Sequence, residues 1–203
     1  MRLFVAAPVP EGPRREAAAL QRRLAAVTAA RVTWVAEHNL HLTVQFLGEV
    51  GEAGERRVRR ALTRAVEELA PFDASLGALG AFPRWEEARV VFLSLARGEA
   101  DFVRLVRRVG ASLGELGFAP ERRRVQAHLT LGRVREGRLP ALSPVEASAQ
   151  FRVEHLILFG SRLTPSGPIY EVRERFALRG SGKDFVSTTS KSDPQRVEQG
   201  SGE

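Results

Sequence analysis

The chain has 203 residues, of which 43% are hydrophobic and 27% charged. That composition excludes wholesale disorder, and the absence of any apolar run near the roughly 18 residues of a span excludes a membrane helix. Cysteine is absent, which excludes disulfides, cysteine-held metals, iron–sulfur clusters and thiol nucleophiles, while Lys and Arg outnumber Asp and Glu by 31 to 24, a net +7 compatible with a polyanionic partner.

In chain order, Arg2 to Ala7 reads as a short buried strand. Pro13 then stands near the start of a helix carrying Ala17, Leu20, Leu24 and Val27 on one face. Arg31 to Val35 and Leu40 to Leu47 are β-branched and aromatic, and predict two strands. A second helix is predicted over about 53 to 69, with Val58, Leu62, Ala65 and Leu69 as its stripe and Pro71 as its stop. Strands are predicted around 72 to 79 and 89 to 95. A third helix from about Asp101 carries Phe102, Leu105, Val106, Val109, Leu113 and Leu116, and ends at Gly117. Further strands are predicted at about 125 to 134, 145 to 150, 153 to 159 and 169 to 178. Strands and helices mix without strict alternation, which predicts an α+β fold with an antiparallel sheet.

Composition changes after Gly180. Residues 181–203 hold the chain's two lysines among many Ser and Gly, and read as a disordered polar tail on a domain of residues 1–180. No charged-then-apolar leader is visible, so a cytoplasmic protein is expected.

One pattern occurs twice: His41-Leu42-Thr43-Val44 and, 87 residues later, His128-Leu129-Thr130-Leu131. On a strand, alternate side chains share a face. Each copy therefore presents an imidazole beside a hydroxyl while its aliphatics face the other way. An internal repeat brings equivalent strands together about a pseudo-twofold axis, so two imidazoles are expected to face one another across a cleft. Such a pair suits displacement at phosphorus, one imidazole taking a proton from the attacking oxygen and the other giving one to the leaving oxygen. Thr43, Thr130 and Arg133, which closely follows the second copy, are the candidates for holding phosphate oxygens. Nothing in this chemistry calls for a metal or cofactor.

The sequence resembles the two-histidine (2H) phosphoesterases, specifically the RNA 2′,3′-cyclic phosphodiesterases once called 2′-5′ RNA ligases. The resemblance covers about residues 2 to 178. It includes the opening Arg2-Leu3-Phe4-Val5-Ala6, the run from Arg31-Val32-Thr33-Trp34-Val35 through His41 to Val50, Ala127-His128-Leu129-Thr130-Leu131-Gly132-Arg133, and Leu158 to Leu163 with Gly167-Pro168-Ile169-Tyr170. It implies two pseudo-symmetric lobes, each an antiparallel sheet with helices outside, around a central groove. It also implies opening of a terminal 2′,3′-cyclic phosphate on RNA to a 2′-phosphomonoester, with weak reverse 2′-5′ ligation. His41 is then the proton donor to the 3′ oxygen and His128 the proton acceptor that activates water. The implied partner is RNA with a cyclic phosphate end, and a monomer that binds no membrane is expected.

Other residues have weaker claims. Arg122, Arg123 and Arg124 read either as a phosphate-binding rim or as a solvated turn. Trp34, Phe46 and Tyr170 have faces that accept a base, but read as core packing. His38 stands three before His41, which on a strand faces the opposite side, so no metal pair is expected. His155 lacks a Thr at the required offset and reads as structural. Two rivals remain: a phosphodiesterase for a small cyclic nucleotide, and a module that binds nucleotides without turning them over.

Overall fold

The computed structural model describes residues 1–120, 125–141, 145–164 and 167–180. The expected tail at 181–203 and the basic run Arg122–Arg124 lie outside the described residues.

The elements run β1 (Arg2–Pro8), α1 (Glu11–Val27), β2 (Arg31–Trp34), β3 (His41–Glu49), α2 (Glu52–Glu67), β4 (Phe72–Phe82), β5 (Val90–Arg97), α3 (Glu99–Gly114), β6 (His128–Glu136), β7 (Gln150–Val153), β8 (His155–Thr164) and β9 (Gly167–Ala177). Short 3₁₀ turns occupy Glu37–Asn39 and Trp85–Glu87. Pro13 falls in the first turn of α1, where its missing N–H loses no helical bond. The buried face of that helix runs through Pro13, Ala17, Gln21 and Leu24, and Val27 is 59% exposed. The stripe is therefore rotated, with a polar Gln21 where an aliphatic was expected. The predicted stripe of α2 is buried throughout, as is that of α3 from Phe102 to Leu113. The expected strand at 145 to 150 is largely replaced by an isolated bridge between Glu146 and Ala78. The segment stays bonded to β4 all the same, Leu79 N–H donating to Val145, Ala147 N–H to Gly77 and Leu76 N–H to Ala149.

All strands join one antiparallel sheet in the order β7-β4-β5-β6-β3-β1-β8-β9, with β2 added against β6. The order divides at its centre into two halves of four strands, where β3 and β6 meet at a single paired position, Leu42 opposite Leu129. These are the middle residues of the two repeats, so the pseudo-twofold axis passes between them. The sheet curls strongly, since β7 and β8, far apart in that order, are separated in sequence by Glu154 alone.

One face of the sheet is covered by the helices. Leu3, Val5, Leu42, Val44, Leu93, Leu129, Leu131, Leu156 and Leu158 pack there with Leu24, Leu62, Phe102 and Leu105. The helices cross between halves. The helix following β1 reaches β6, and the helix following β5 reaches β3. The opposite face carries Phe4, Ala6, Phe92 and Ile157, which are buried but belong to no part of that core. This second face holds both histidine repeats.

Candidate active site

Burial alternates along each repeat as the strand period dictates. His41 and Thr43 are half-buried while Leu42 and Val44 are buried, and the same holds for His128 and Thr130 against Leu129 and Leu131. The Leu42–Leu129 pairing puts both histidines and both threonines on one face, arranged diagonally about the axis.

Each imidazole is oriented by the same device. His41 Nδ1 lies 2.7 Å from the carbonyl oxygen of Asn39, and His128 Nδ1 lies 2.8 Å from that of Gln126. A carbonyl only accepts, so Nδ1 carries the hydrogen in both rings and Nε2 is the unprotonated nitrogen of each neutral ring. His41 Nε2 stands 3.0 Å from Thr43 Oγ1. The orienting groups escape sequence reading because any residue two positions upstream supplies a carbonyl.

Phenyl rings wall both imidazoles. Phe4 and Phe159 stack at 5.1 Å between centroids, and Phe4 lies 5.1 Å from the His41 ring. On the other side Phe82 and Phe92 stack at 4.2 Å and present their rings to His128 at 5.1 and 5.6 Å. Tyr170 meets His41 edge-on at 5.6 Å.

Bulges redirect the chain just after each repeat. Pairing with β1 steps from Thr43 to Gln45, leaving Val44 as the extra residue; pairing with β5 steps from Thr130 to Gly132, leaving Leu131 extra. Each bulge puts two successive residues on the core face, Val44 with Gln45 and Leu131 with Gly132. The next residues, Phe46 and Arg133, are exposed. Phe46 is 67% exposed, which corrects the core role expected for it. Trp34 does pack, closing over Gly132 so tightly that a Cβ there would meet its ring at 2.7 Å.

Burial dominates the electrostatics of the pair. The pKa of His41 is lowered from 6.5 by desolvation, against the raising effect of the Asn39 carbonyl, and lowered further by the charge of His128. That of His128 is lowered by desolvation, against the Gln126 carbonyl, and further by Arg133. The charge of Arg133 is also felt by Tyr170, whose pKa burial raises. The charge of Arg133 therefore reaches both His128 and Tyr170.

His38 stands differently from expectation. His38 lies on the 3₁₀ turn and not on a strand, and it lines the same cavity as His41. His155 lines that cavity too, with its Nε2 buried and lacking a hydrogen-bond partner. Among the described residues, no three His, Cys, Asp or Glu side chains cluster as a metal site. No helix of the described residues is long and apolar enough to cross a membrane.

Comparison with known proteins bears on this geometry. An RNA 2′,3′-cyclic phosphodiesterase of Methanothermobacter thermautotrophicus is 36% identical over 186 residues, covering 88% of this chain and 99% of the relative. The crystal structure of TT0787 of Thermus thermophilus superposes with a TM-score of 0.78 at 33% identity, covering 89% of this chain and 99% of that one. E. coli LigT complexed with 3′-AMP superposes with a TM-score of 0.74 at 25% identity, covering 87% of this chain and 97% of that one. A sequence model described as the 2′-5′ RNA ligase superfamily matches residues 8–163, a span that includes both histidine repeats, and the chain belongs to that family.

Proposed function

We propose that this protein is an RNA 2′,3′-cyclic phosphodiesterase that opens the ring to a 2′-phosphomonoester by paired-histidine acid–base catalysis. The observation that carries the reading is the matched orientation of the two imidazoles, each tied at Nδ1 to a carbonyl two residues upstream and each offering Nε2 on the same face. The activity printed for relatives such as the M. thermautotrophicus protein supports it.

In this reading, neutral His128 takes a proton from water through Nε2 as the water oxygen attacks phosphorus. The P–O3′ bond breaks in line, its electron pair stays on O3′, and protonated His41 delivers a proton there from Nε2. The products are a 3′-hydroxyl and a 2′-phosphomonoester, with the two histidines left in exchanged protonation states. The hydroxyls of Thr43 and Thr130 and the guanidinium of Arg133 hold the non-bridging oxygens as negative charge builds. No step requires a metal. With an RNA 5′-hydroxyl attacking phosphorus in the place of water, and O3′ leaving as before, the same displacement joins 2′-5′ ends. The exposed ring of Phe46 is the natural surface for the terminal base.

The test is a short RNA ending in a 2′,3′-cyclic phosphate, incubated with enzyme in EDTA and the product terminus resolved. The expected product is a 2′-phosphate, abolished in His41→Ala and in His128→Ala. A 3′-phosphate lost in both variants would exchange the leaving group, and activity restored only by a divalent ion would remove the metal-free mechanism.

A further inference from the structure

A cavity of about 520 Å³ opens directly beside His41. It extends away from the second repeat, taking its lining from the ends of β1 and α1, the 3₁₀ turn and the β7–β9 region, with no residue of β5 or β6. On β8 and β9 the alternating residues His155, Ile157 and Phe159 share its wall with Arg175, Val172 and Tyr170, as the pairing of Ile157 with Arg175 and Phe159 with Val172 requires.

The charged groups of this cavity are three arginines, Arg14, Arg152 and Arg175, against one carboxylate, Glu154. Arg152 is already engaged with Asp73 at 2.8 Å and faces Glu154 at 3.8 Å. Neither Arg14 nor Arg175 has a carboxylate partner among the described residues. Arg14 Nε and His155 Nε2 are both buried without hydrogen-bond partners. The Arg14 Nε–H is thus a donor held out of water and uncommitted to the protein, which is costly unless a ligand supplies the acceptor.

Ribose connectivity says which acceptor. C3′, which bears the leaving oxygen, is bonded to C4′, and C4′ carries the C5′–O5′ arm to the preceding nucleotide. C1′ and its base hang from the O2′ side of the ring. A histidine that serves O3′ therefore stands on the same side as the phosphodiester joining the terminal nucleotide to the rest of the RNA. We propose that the cavity beside His41 is the subsite for that upstream phosphodiester, anchored by Arg14 and Arg175. The proposal rests on the phosphodiesterase reading with His41 serving O3′, and it makes the enzyme selective for RNA ends over free cyclic nucleotides.

The experiment compares two probes: a nucleoside 2′,3′-cyclic phosphate with a free 5′-hydroxyl, and the same molecule carrying a 5′-methyl phosphate diester. The wild-type enzyme is expected to favour the diester-bearing probe by about tenfold or more in KM, the scale of one charge-assisted contact. Arg14→Gln and Arg175→Gln should each remove most of that preference, and Arg175→Lys should retain more of it than Arg175→Gln. The preference should also fall as salt rises, less steeply in the Gln variants. Equal KM for the two probes in the wild type, or equal losses on both probes in every variant, would overturn the subsite. Failure of the wild type to turn over either probe would instead remove the phosphodiesterase reading, and the subsite with it.

Discussion

Phe46 and Arg133 are pseudo-symmetry mates. Each stands five residues beyond its histidine, at 41 to 46 and 128 to 133, and each follows a bulge at the fourth residue of its repeat. The fold thus repeats the same backbone excursion twice and ends it once in an apolar ring and once in a fixed cation. The site is symmetric in its two imidazoles and asymmetric in what flanks them. A cyclic nucleotide is asymmetric in the same sense, with a flat base at one end and an anion at the other.

This asymmetry separates two variants. Phe46→Ala removes a largely exposed ring, so stability should change little. A base–aromatic contact is worth roughly 1–3 kcal/mol, so KM should rise about tenfold with kcat nearly kept. Arg133→Gln should lower kcat as well, by about a hundredfold if the cation meets charge that develops in the transition state. Steady-state kinetics on one RNA substrate distinguishes them; identical changes in the two variants would refute the division of labour.

The pH profile follows from burial. Both histidines titrate below 6.5, and each is held down further by a neighbouring positive charge. The proposed mechanism needs one ring charged and one neutral, so kcat/KM should be bell-shaped with its maximum below pH 6.5, the two limbs belonging to the pair and not to single residues. Above that pH the rate should fall about tenfold per unit as the protonated acid is lost. Arg133→Gln relieves the repulsion on His128, so its pKa rises and the acid limb moves to higher pH. The lowered folded pKa values also mean that the unfolded chain binds more protons near 6.5, so stability should decline as pH falls through that value. Rate measurements from pH 4.5 to 8.5 check the profile, and a flat one would contradict the paired mechanism.

The bulge at Leu131 has its own support. Gln21, buried in α1, donates from Nε2 to the carbonyl of Leu131 at 2.7 Å and to that of Val35 at 2.8 Å. Replacing it with Leu leaves the Leu131 carbonyl with only the N–H of Val35 and takes a donor from the part-buried Val35 carbonyl, at a cost of about 1 kcal/mol. Gln21→Leu should therefore lower the urea midpoint and loosen the placement of Arg133, reducing kcat beyond what the stability loss explains. Gln45, on the other bulge, makes longer bonds of 3.3 Å to Phe118 and Ala119, so Gln45→Leu should cost less. Equal denaturation midpoints for Gln21→Leu and wild type would contradict this account.

The same bulges mark where the sequence stops being readable. The two His-x-Thr repeats are legible because strict alternation holds from His41 to Thr43 and from His128 to Thr130. Continued alternation would send Phe46 to the face of Leu42, which is why it reads as core. One extra residue at Val44 reverses that parity, and no propensity distinguishes Val44 from its neighbours. The stripe of α3 is legible because it is wholly apolar. The α1 stripe is not, because its central buried position is the polar Gln21, satisfied by the carbonyl of Val35 beyond β2 and by that of the distant Leu131. His155 reads as structural by its lack of a Thr two residues on, but the curl of the sheet brings it to the cavity beside His41, and curl is invisible in local pattern.

Thr43 makes the sharpest test of the hydroxyls. In the free site its Oγ1 lies 3.0 Å from His41 Nε2. When His41 is neutral, Nε2 accepts and the hydroxyl donates to it. When His41 is protonated, Nε2–H donates, and the hydroxyl hydrogen is freed for a phosphate oxygen. In the proposed mechanism, Thr43 therefore senses the protonation state of His41 and offers its own donor in the state that reacts. Thr43→Val keeps the β-branched shape and removes only the hydroxyl, so the fold should melt within a few degrees of the wild type while kcat falls by about a hundredfold, the scale of one lost transition-state donor. Thr43→Ser should recover most of the rate, since it restores the hydroxyl at the same position. A Thr43→Val enzyme as fast as the wild type would mean that this hydroxyl only positions the resting imidazole and takes no part in holding phosphate.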